Sequence, residues 1–167
     1  AVRRLWHLRG RHPDKTFLIF EDLEGRCRTW TFVEFDRQVN QTAWWLLDMG
    51  IEPGQAFTQV GMNSPAFVSL AIAASRIGAI MVPGDFRATV DELAYILDHS
   101  DSRLLIAEPD QLEVVRRAAG GTQVQEVVLD CGPSAQGHVV MEDRVERQRT
   151  SRPGVATDAD DVVHMLY

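Results

Sequence analysis

The stretch AFTQVGMNSPAFVSLAIAASRIGAIMV, residues 56–82, decides the predicted fold. Its first six residues, 56–61, have the length and apolar character of a buried strand. Ser64 and Pro65 suit the N-cap and first turn of a helix, and Gly78 suits its end. A second apolar strand, 79–82, follows at once. A strand, a helix and a strand in such close succession predict two parallel neighbours in one sheet.

The same alternation continues toward the C-terminus. Pro83 and Gly84 are predicted to stop the second strand, because proline lacks an N–H for a sheet ladder. Thr89 and Glu92 have the spacing of a capping box and predict the start of the next helix. The remaining elements of this half are a strand at 103–107, a helix at 109–119 and a strand at 124–130.

The residues before this stretch predict a hairpin and a long helix. Residues 16–20 and 27–30 flank an Asp-Leu-Glu-Gly turn and read as the two antiparallel strands of the hairpin. Thr31 and Glu34 form another capping box, and Gly50 closes the helix that they open.

Taken together, these elements predict an α/β fold with a mainly parallel, doubly wound sheet flanked by helices and preceded by a β-hairpin. Residues 1–50 would hold a short surface helix, the hairpin and the first long helix, and residues 51–131 the strand-helix repeats. Residues 132–160 lose the periodicity and predict an irregular connection with room for one short helix. Residues 161–167 predict a buried strand with no helix after it, so we expect the chain to be cut from a longer one.

Composition excludes several classes of function. The 167 residues carry a net charge of −7, with 45% hydrophobic and 25% charged residues, which argues against a nucleic-acid surface. No apolar run is long enough to cross a membrane, so we expect no membrane insertion and a cytoplasmic location. Cys27 and Cys131 match no metal-ligand spacing, and no two of the five histidines have the i, i+4 spacing of a helical metal site, so no metal site is predicted.

Spacing alone assigns no catalytic chemistry. The sequence contains neither a GxGxxG turn nor a glycine-lysine-serine/threonine phosphate loop. The pair Gly120 and Gly121 follows a predicted helix and reads as a helix stop. Trp44 and Trp45 are adjacent on a helix, so we expect one to pack on the sheet and the other on a neighbouring segment.

Three stretches, in order, resemble the adenylate-forming superfamily of acyl-CoA synthetases, firefly-type luciferases and peptide-synthetase adenylation domains. Residues 29–36, TWTFVEFD, are similar to its first core motif, and residues 74–83, ASRIGAIMVP, to its second. Residues 161–167, DVVHMLY, look like the strand that leads into its phosphate loop. Residues 80–83 and 95–97, with Arg87, look closest to crotonobetaine/carnitine-CoA ligase-like members.

This resemblance implies an N-terminal fragment of an AMP-forming ligase. A small-molecule carboxylic acid would attack Mg-ATP to give an acyl-adenylate, and coenzyme A would then displace AMP. The family's catalytic groups match no residue of this chain. The resemblance therefore implies that the chain needs the rest of the ligase as its partner. Alone it would be inactive and would not hold ATP. The family's role in fatty acid metabolism would follow for the whole protein.

One binding residue follows from the resemblance. Arg87 has the position of an arginine that in some of these ligases reaches a phosphate of coenzyme A, and a guanidinium offers phosphate a bidentate fork. The competing interpretation is a surface ion pair with Asp85 or Asp91. Residues 84–86, Gly-Asp-Phe, depart from the Asn-x-Arg common in the ligases. Met62 and Asn63 would form a turn or border the acyl pocket.

Two other functions stay open at this point. An adenylation domain that loads a carrier protein would share the motifs and differ downstream of residue 167. A non-enzymatic Rossmann-like binding module would share only the sheet.

Overall fold

The computed structural model describes residues 10–129 and 140–167. In this part of the chain the strands are β1 Thr16–Glu21, β2 Cys27–Thr31, β3 Ala56–Val60, β4 Ile80–Gly84, β5 Leu104–Ala107 and β6 Glu126–Leu129. The helices are α1 Phe32–Asp48, α2 Pro65–Ile77, α3 Val90–His99, α4 Leu112–Ala119 and α5 Met141–Val145, with a 3₁₀ turn at Pro109–Gln111.

The predicted doubly wound sheet is confirmed. Strands β4, β3, β5 and β6 lie in that order and are all parallel, whereas β1 and β2 form a separate antiparallel hairpin. Alternate residues of β5 serve the two faces of the sheet: Leu104 and Ile106 join the core under α1 and α2, and Leu105 and Ala107 join the core under α3 and α4. The connection from β4 to β5 crosses β3, so the loops after β3 and β5 diverge to opposite faces.

Local chemistry sets the helix starts as predicted. Thr31 and Thr89 each accept a bond from the backbone N–H three residues on, and Glu34 and Glu92 complete both capping boxes. Helix α2 has the predicted bounds, with Ser64 as its N-cap, and ends at a left-handed Gly78. The predicted helix over 109–119 begins instead as a 3₁₀ turn.

The predicted stop at Pro83 is wrong, because β4 continues through it to Gly84. In the parallel register Pro83 lies opposite Gln59 of β3. Successive backbone N–H groups of a strand point to opposite sides. The N–H of Ile80 points toward β3 and donates to the carbonyl of Gln55 at 2.9 Å. The nitrogen of Pro83 therefore faces away from β3, where its missing N–H costs the β3–β4 ladder nothing.

Residues 161–167, the closing segment, lie beside β4 in parallel orientation, on the edge away from β3. Met81 donates its N–H to the carbonyl of Val163 at 3.0 Å and accepts the N–H of Met165 at 3.2 Å. The pairing is one isolated bridge, Met81 to His164, and not the full strand predicted over 161–167. The next ladder bond would need an N–H at Pro83, so the proline limits the ladder to this single step.

A buried ion pair joins α1 to α2. The guanidinium of Arg76 lies 3.0 Å from a carboxylate oxygen of Asp36, and both side chains are at most 1% exposed. Arg76 also donates to the side-chain oxygen of Asn40. The Asn40 amide in turn donates to the carbonyl of Thr150 at 2.7 Å, so the same cluster reaches the connection that follows α5.

Further contacts hold residues 146–151 along α1. Gln41 donates to the carbonyls of Glu146 and Gln148 at 3.0 and 3.3 Å. The indole N–H of Trp44 donates to the carbonyl of Ser151 at 2.8 Å. The guanidinium of Arg149 lies 4.7 Å from the centre of the Trp44 ring. Its neighbour Trp45 is 2% exposed and belongs to the core. The prediction that one tryptophan packs on the sheet and the other on a neighbouring segment is therefore confirmed.

Some predictions fall outside the described residues. These are the short helix at the start of the chain, the end of the last predicted strand at residue 130 and the part of the irregular connection up to residue 139. Helix α5 supplies the one short helix for which the connection had room. Among residues 10–129 and 140–167, no helix combines the length and the apolar character that crossing a membrane requires.

We expect Asp36→Ala to lower the free energy of unfolding by about 3–5 kcal/mol, because it removes the carboxylate that lies 3.0 Å from the buried Arg76 guanidinium. The measurement is urea-induced unfolding followed by circular dichroism. Arg26→Ala breaks an ion pair whose arginine is 75% exposed and should leave the midpoint close to that of the unchanged chain. Equal midpoints for the two variants would contradict a structural role for the buried pair.

Candidate functional site

The candidate site lies where β4 ends, at the carboxyl edge of the parallel sheet. Open α/β sheets bind their ligands at this edge. Gly84 ends the strand, and the chain then turns over residues 85–88, with the N–H of Ala88 donating to the carbonyl of Asp85 at 3.0 Å. Thr89 caps α3 directly afterward. The turn therefore places Arg87 between the end of a strand and the start of a helix.

Arg87 is held by Asp85. The Nε and Nη2 groups of Arg87 donate to the two carboxylate oxygens of Asp85 at 3.0 and 2.7 Å, and the backbone N–H of Arg87 donates to the first of these oxygens at 2.8 Å. Both side chains are exposed, at 74% for Arg87 and 50% for Asp85. Of the two partners named for a surface ion pair, Asp85 is the one found.

The ion pair shifts the pKa of both groups. The side-chain bonds from Arg87 lower the pKa of the Asp85 carboxyl from 3.8 to about 2, and the same bonds raise the pKa of Arg87. Asp85 is therefore a carboxylate, and Arg87 a cation, throughout the physiological range.

A groove of about 690 Å³ opens over this turn. Its charged lining consists of Arg87 and three carboxylates, Asp85, Asp91 and Glu92. Glu92 accepts the backbone N–H and the hydroxyl of Thr89 in the capping box, both at 2.8 Å. These bonds lower the pKa of Glu92, so its charge serves the start of α3.

Two aromatic residues, Tyr95 and Tyr167, also line the groove. Tyr95 and His99, one turn apart on α3, stack with their ring centres 5.4 Å apart. Tyr167 stands across both rings at about a right angle, and its hydroxyl lies 2.7 Å from Nδ1 of His99. Partial burial raises the pKa of Tyr167. The end of the closing segment is thus fastened to α3.

A second close contact lies at the neighbouring strand ends. The side chain of Glu108, just after β5, accepts the backbone N–H of Met62, just after β3, at 2.8 Å. A methyl group on Gly61 would lie 2.9 Å from that carboxylate, so the glycine permits the approach. The bond to Glu108 supports a turn role for Met62. That Met62 borders an acyl pocket stays a prediction. Sequence reasoning missed Glu108, although its position directly after a buried strand marks it as a residue of this edge.

Within residues 10–129 and 140–167, no group of three His, Cys, Asp or Glu side chains is placed to hold a metal ion. In the groove, Asp85 is bonded to Arg87 and Glu92 caps α3. Arg87 remains as the group in the groove that suits an anionic phosphate.

Comparison with known proteins identifies the family. Residues 5–167 match the AMP-binding enzyme family. The chain belongs to this family. A crotonobetaine/carnitine-CoA ligase of Salmonella paratyphi B is 30% identical over 174 aligned positions, which cover 99% of this chain and 33% of that ligase. The chain therefore spans about a third of the length of this relative.

Solved structures of similar proteins support the fold. A fatty acyl CoA synthetase of Mycobacterium tuberculosis superposes with a TM-score of 0.86 at 21% identity, covering 99% of this chain and 32% of that one. A benzoate CoA ligase of Burkholderia xenovorans LB400 gives 0.84 at 21% identity, with the same shares covered. The sheet and its helices are thus those of the AMP-binding enzymes.

Proposed function

We propose that this chain is the N-terminal part of an ATP-dependent, AMP-forming acyl-CoA ligase. The observation that carries the proposal is a match to the AMP-binding family over residues 5–167, joined to a 30% identical relative that is named a CoA ligase. The reaction would be adenylation of a small carboxylic acid followed by thioester formation with coenzyme A. Its place would be the cytoplasm, in the metabolism of fatty or related acids.

The chemistry divides between this chain and the rest of the protein. ATP with Mg²⁺ would supply the leaving group that turns a poor acyl donor into a good one, and the developing phosphate charge needs a metal, backbone amides or a lysine close by. Among the described residues, no group of three His, Cys, Asp or Glu side chains is placed to hold the metal. This chain would serve as framework for the remaining ligase, through its four parts, residues 1–50, 51–131, 132–160 and 161–167. It would be inactive by itself.

Arg87 would bind a phosphate of coenzyme A. It is 74% exposed, lies at the carboxyl edge of the sheet and lines a groove of about 690 Å³. Its Nη1 group is not among the three donors that Asp85 accepts. A phosphate that reaches the guanidinium can therefore use this donor at once, and must displace Asp85 to use the side-on fork of Nε and Nη2.

The full-length protein should catalyse exchange of pyrophosphate into ATP when given the correct carboxylic acid and Mg²⁺. Exchange requires the acyl-adenylate step alone, so a panel of aliphatic and aromatic acids identifies the substrate. Release of AMP with thioester formation on addition of coenzyme A separates the ligase from an adenylation domain that loads a carrier protein. No exchange with any acid would contradict the proposal.

Arg87→Gln should raise the KM for coenzyme A by about tenfold, because it removes a charge-assisted bond to phosphate. It should leave pyrophosphate exchange unchanged, because coenzyme A takes no part in the first step. Arg103→Gln removes another exposed arginine, at the amino end of β5, and should change neither quantity. An unaltered KM for Arg87→Gln would remove this residue from the coenzyme A site.

A further inference from the structure

Asp85 occupies the side-on fork of Arg87, Nε and Nη2, which is one of the donor pairs through which an arginine can hold a phosphate. Two guanidinium N–H groups and the backbone N–H of Arg87 converge on its carboxylate at 2.7–3.0 Å. Two carboxylate oxygens on Nε and Nη2 reproduce the bidentate geometry in which an arginine holds a phosphate. The carboxylate is therefore a built-in substitute for the ligand proposed at this position.

The charge of the groove acts in the same direction. Arg87 shares the lining of the groove with three carboxylates, those of Asp85, Asp91 and Glu92. Of these, Asp85 bonds Arg87 and Glu92 is tied to Thr89. A phosphate entering the groove meets net negative charge, and much of the attraction of Arg87 is already neutralised by its neighbour two residues earlier.

We infer that Asp85 competes with the phosphate of coenzyme A for Arg87 and so sets a weak affinity for this substrate. The inference rests on the proposed binding of coenzyme A at Arg87. To bind through the side-on fork of Nε and Nη2, the phosphate must displace the Asp85 carboxylate from the guanidinium. The turn survives this exchange if the backbone N–H of Arg87 keeps one carboxylate oxygen while the guanidinium is released.

Replacement by asparagine separates the competing charge from the structural role. The side-chain oxygen of asparagine still accepts the backbone N–H of Arg87, which preserves the turn over residues 85–88. Asparagine carries no charge and cannot offer two acceptors to the fork. Asp91→Asn is the matched control, because it removes one negative charge from the same groove without removing a partner of Arg87.

The test measures KM and kcat of the full-length ligase for coenzyme A and for pantetheine, which lacks every phosphate. Asp85→Asn should lower the KM for coenzyme A by about two- to fivefold, the range of an exposed ion pair. It should leave kcat, and the KM for pantetheine, unchanged. Asp91→Asn should have less than half of this effect. In an Arg87→Gln background Asp85→Asn should give no gain.

The outcomes are distinct. If Arg87→Gln raises the KM for coenzyme A but Asp85→Asn does not lower it, the competition is wrong and the proposed phosphate contact stands. If Asp85→Asn lowers the KM for pantetheine equally, or lowers that for coenzyme A without Arg87, the effect does not pass through the phosphate fork and the inference is overturned. If Arg87→Gln leaves the KM unchanged, both the contact and the competition fail.

Discussion

The buried contact between Arg76 and Asp36 is the constraint on which the rest of the structure depends. A guanidinium removed from water destabilises a fold unless a carboxylate and further acceptors surround it. Here the partners come from α1 and the arginine from α2, so the two helices on one face of the sheet are fixed in relation to each other. Asn40 extends the cluster to Thr150. One polar cluster thus contacts both helices and the later connection.

The path of that connection decides where the chain ends up on the sheet. With residues 146–151 bonded along α1, the remaining residues lead to the open edge of β4, where Met81 pairs with the segment around His164. Tyr167 then fastens the end to α3 beside the groove of Arg87. The buried cluster on one side of the sheet and the groove at its carboxyl edge are therefore linked through β4 and the closing segment.

Much of this fold follows from local sequence. The capping boxes at Thr31 and Thr89 and the bounds of α2 depend on neighbouring residues, and they lie where the sequence predicts them. The course of β4 through Pro83 could not be predicted, because the side to which a proline nitrogen points is known only once the neighbouring strands are placed. Arg76 likewise looks like an interruption of an apolar run, and its partner lies forty positions away.

The candidate site was accessible to sequence reasoning in part. Position and resemblance singled out Arg87, and Asp85 was one of two acids within reach of it. The choice between them depends on the turn over residues 85–88, which directs Asp85 back onto Arg87. Glu108 went unnoticed because its contact with the loop after β3 exists only through the parallel pairing of β3 with β5.

The closing segment lies as a parallel neighbour along the edge of β4, through the bridge of Met81 to His164. Amide hydrogen exchange resolved by residue tests it most directly. The account predicts slow exchange for the N–H groups of Met81 and Met165, which are bonded across the two segments, and fast exchange for an exposed neighbour such as Leu166. Exchange of Met81 and Met165 at the rate of an unstructured peptide would contradict it.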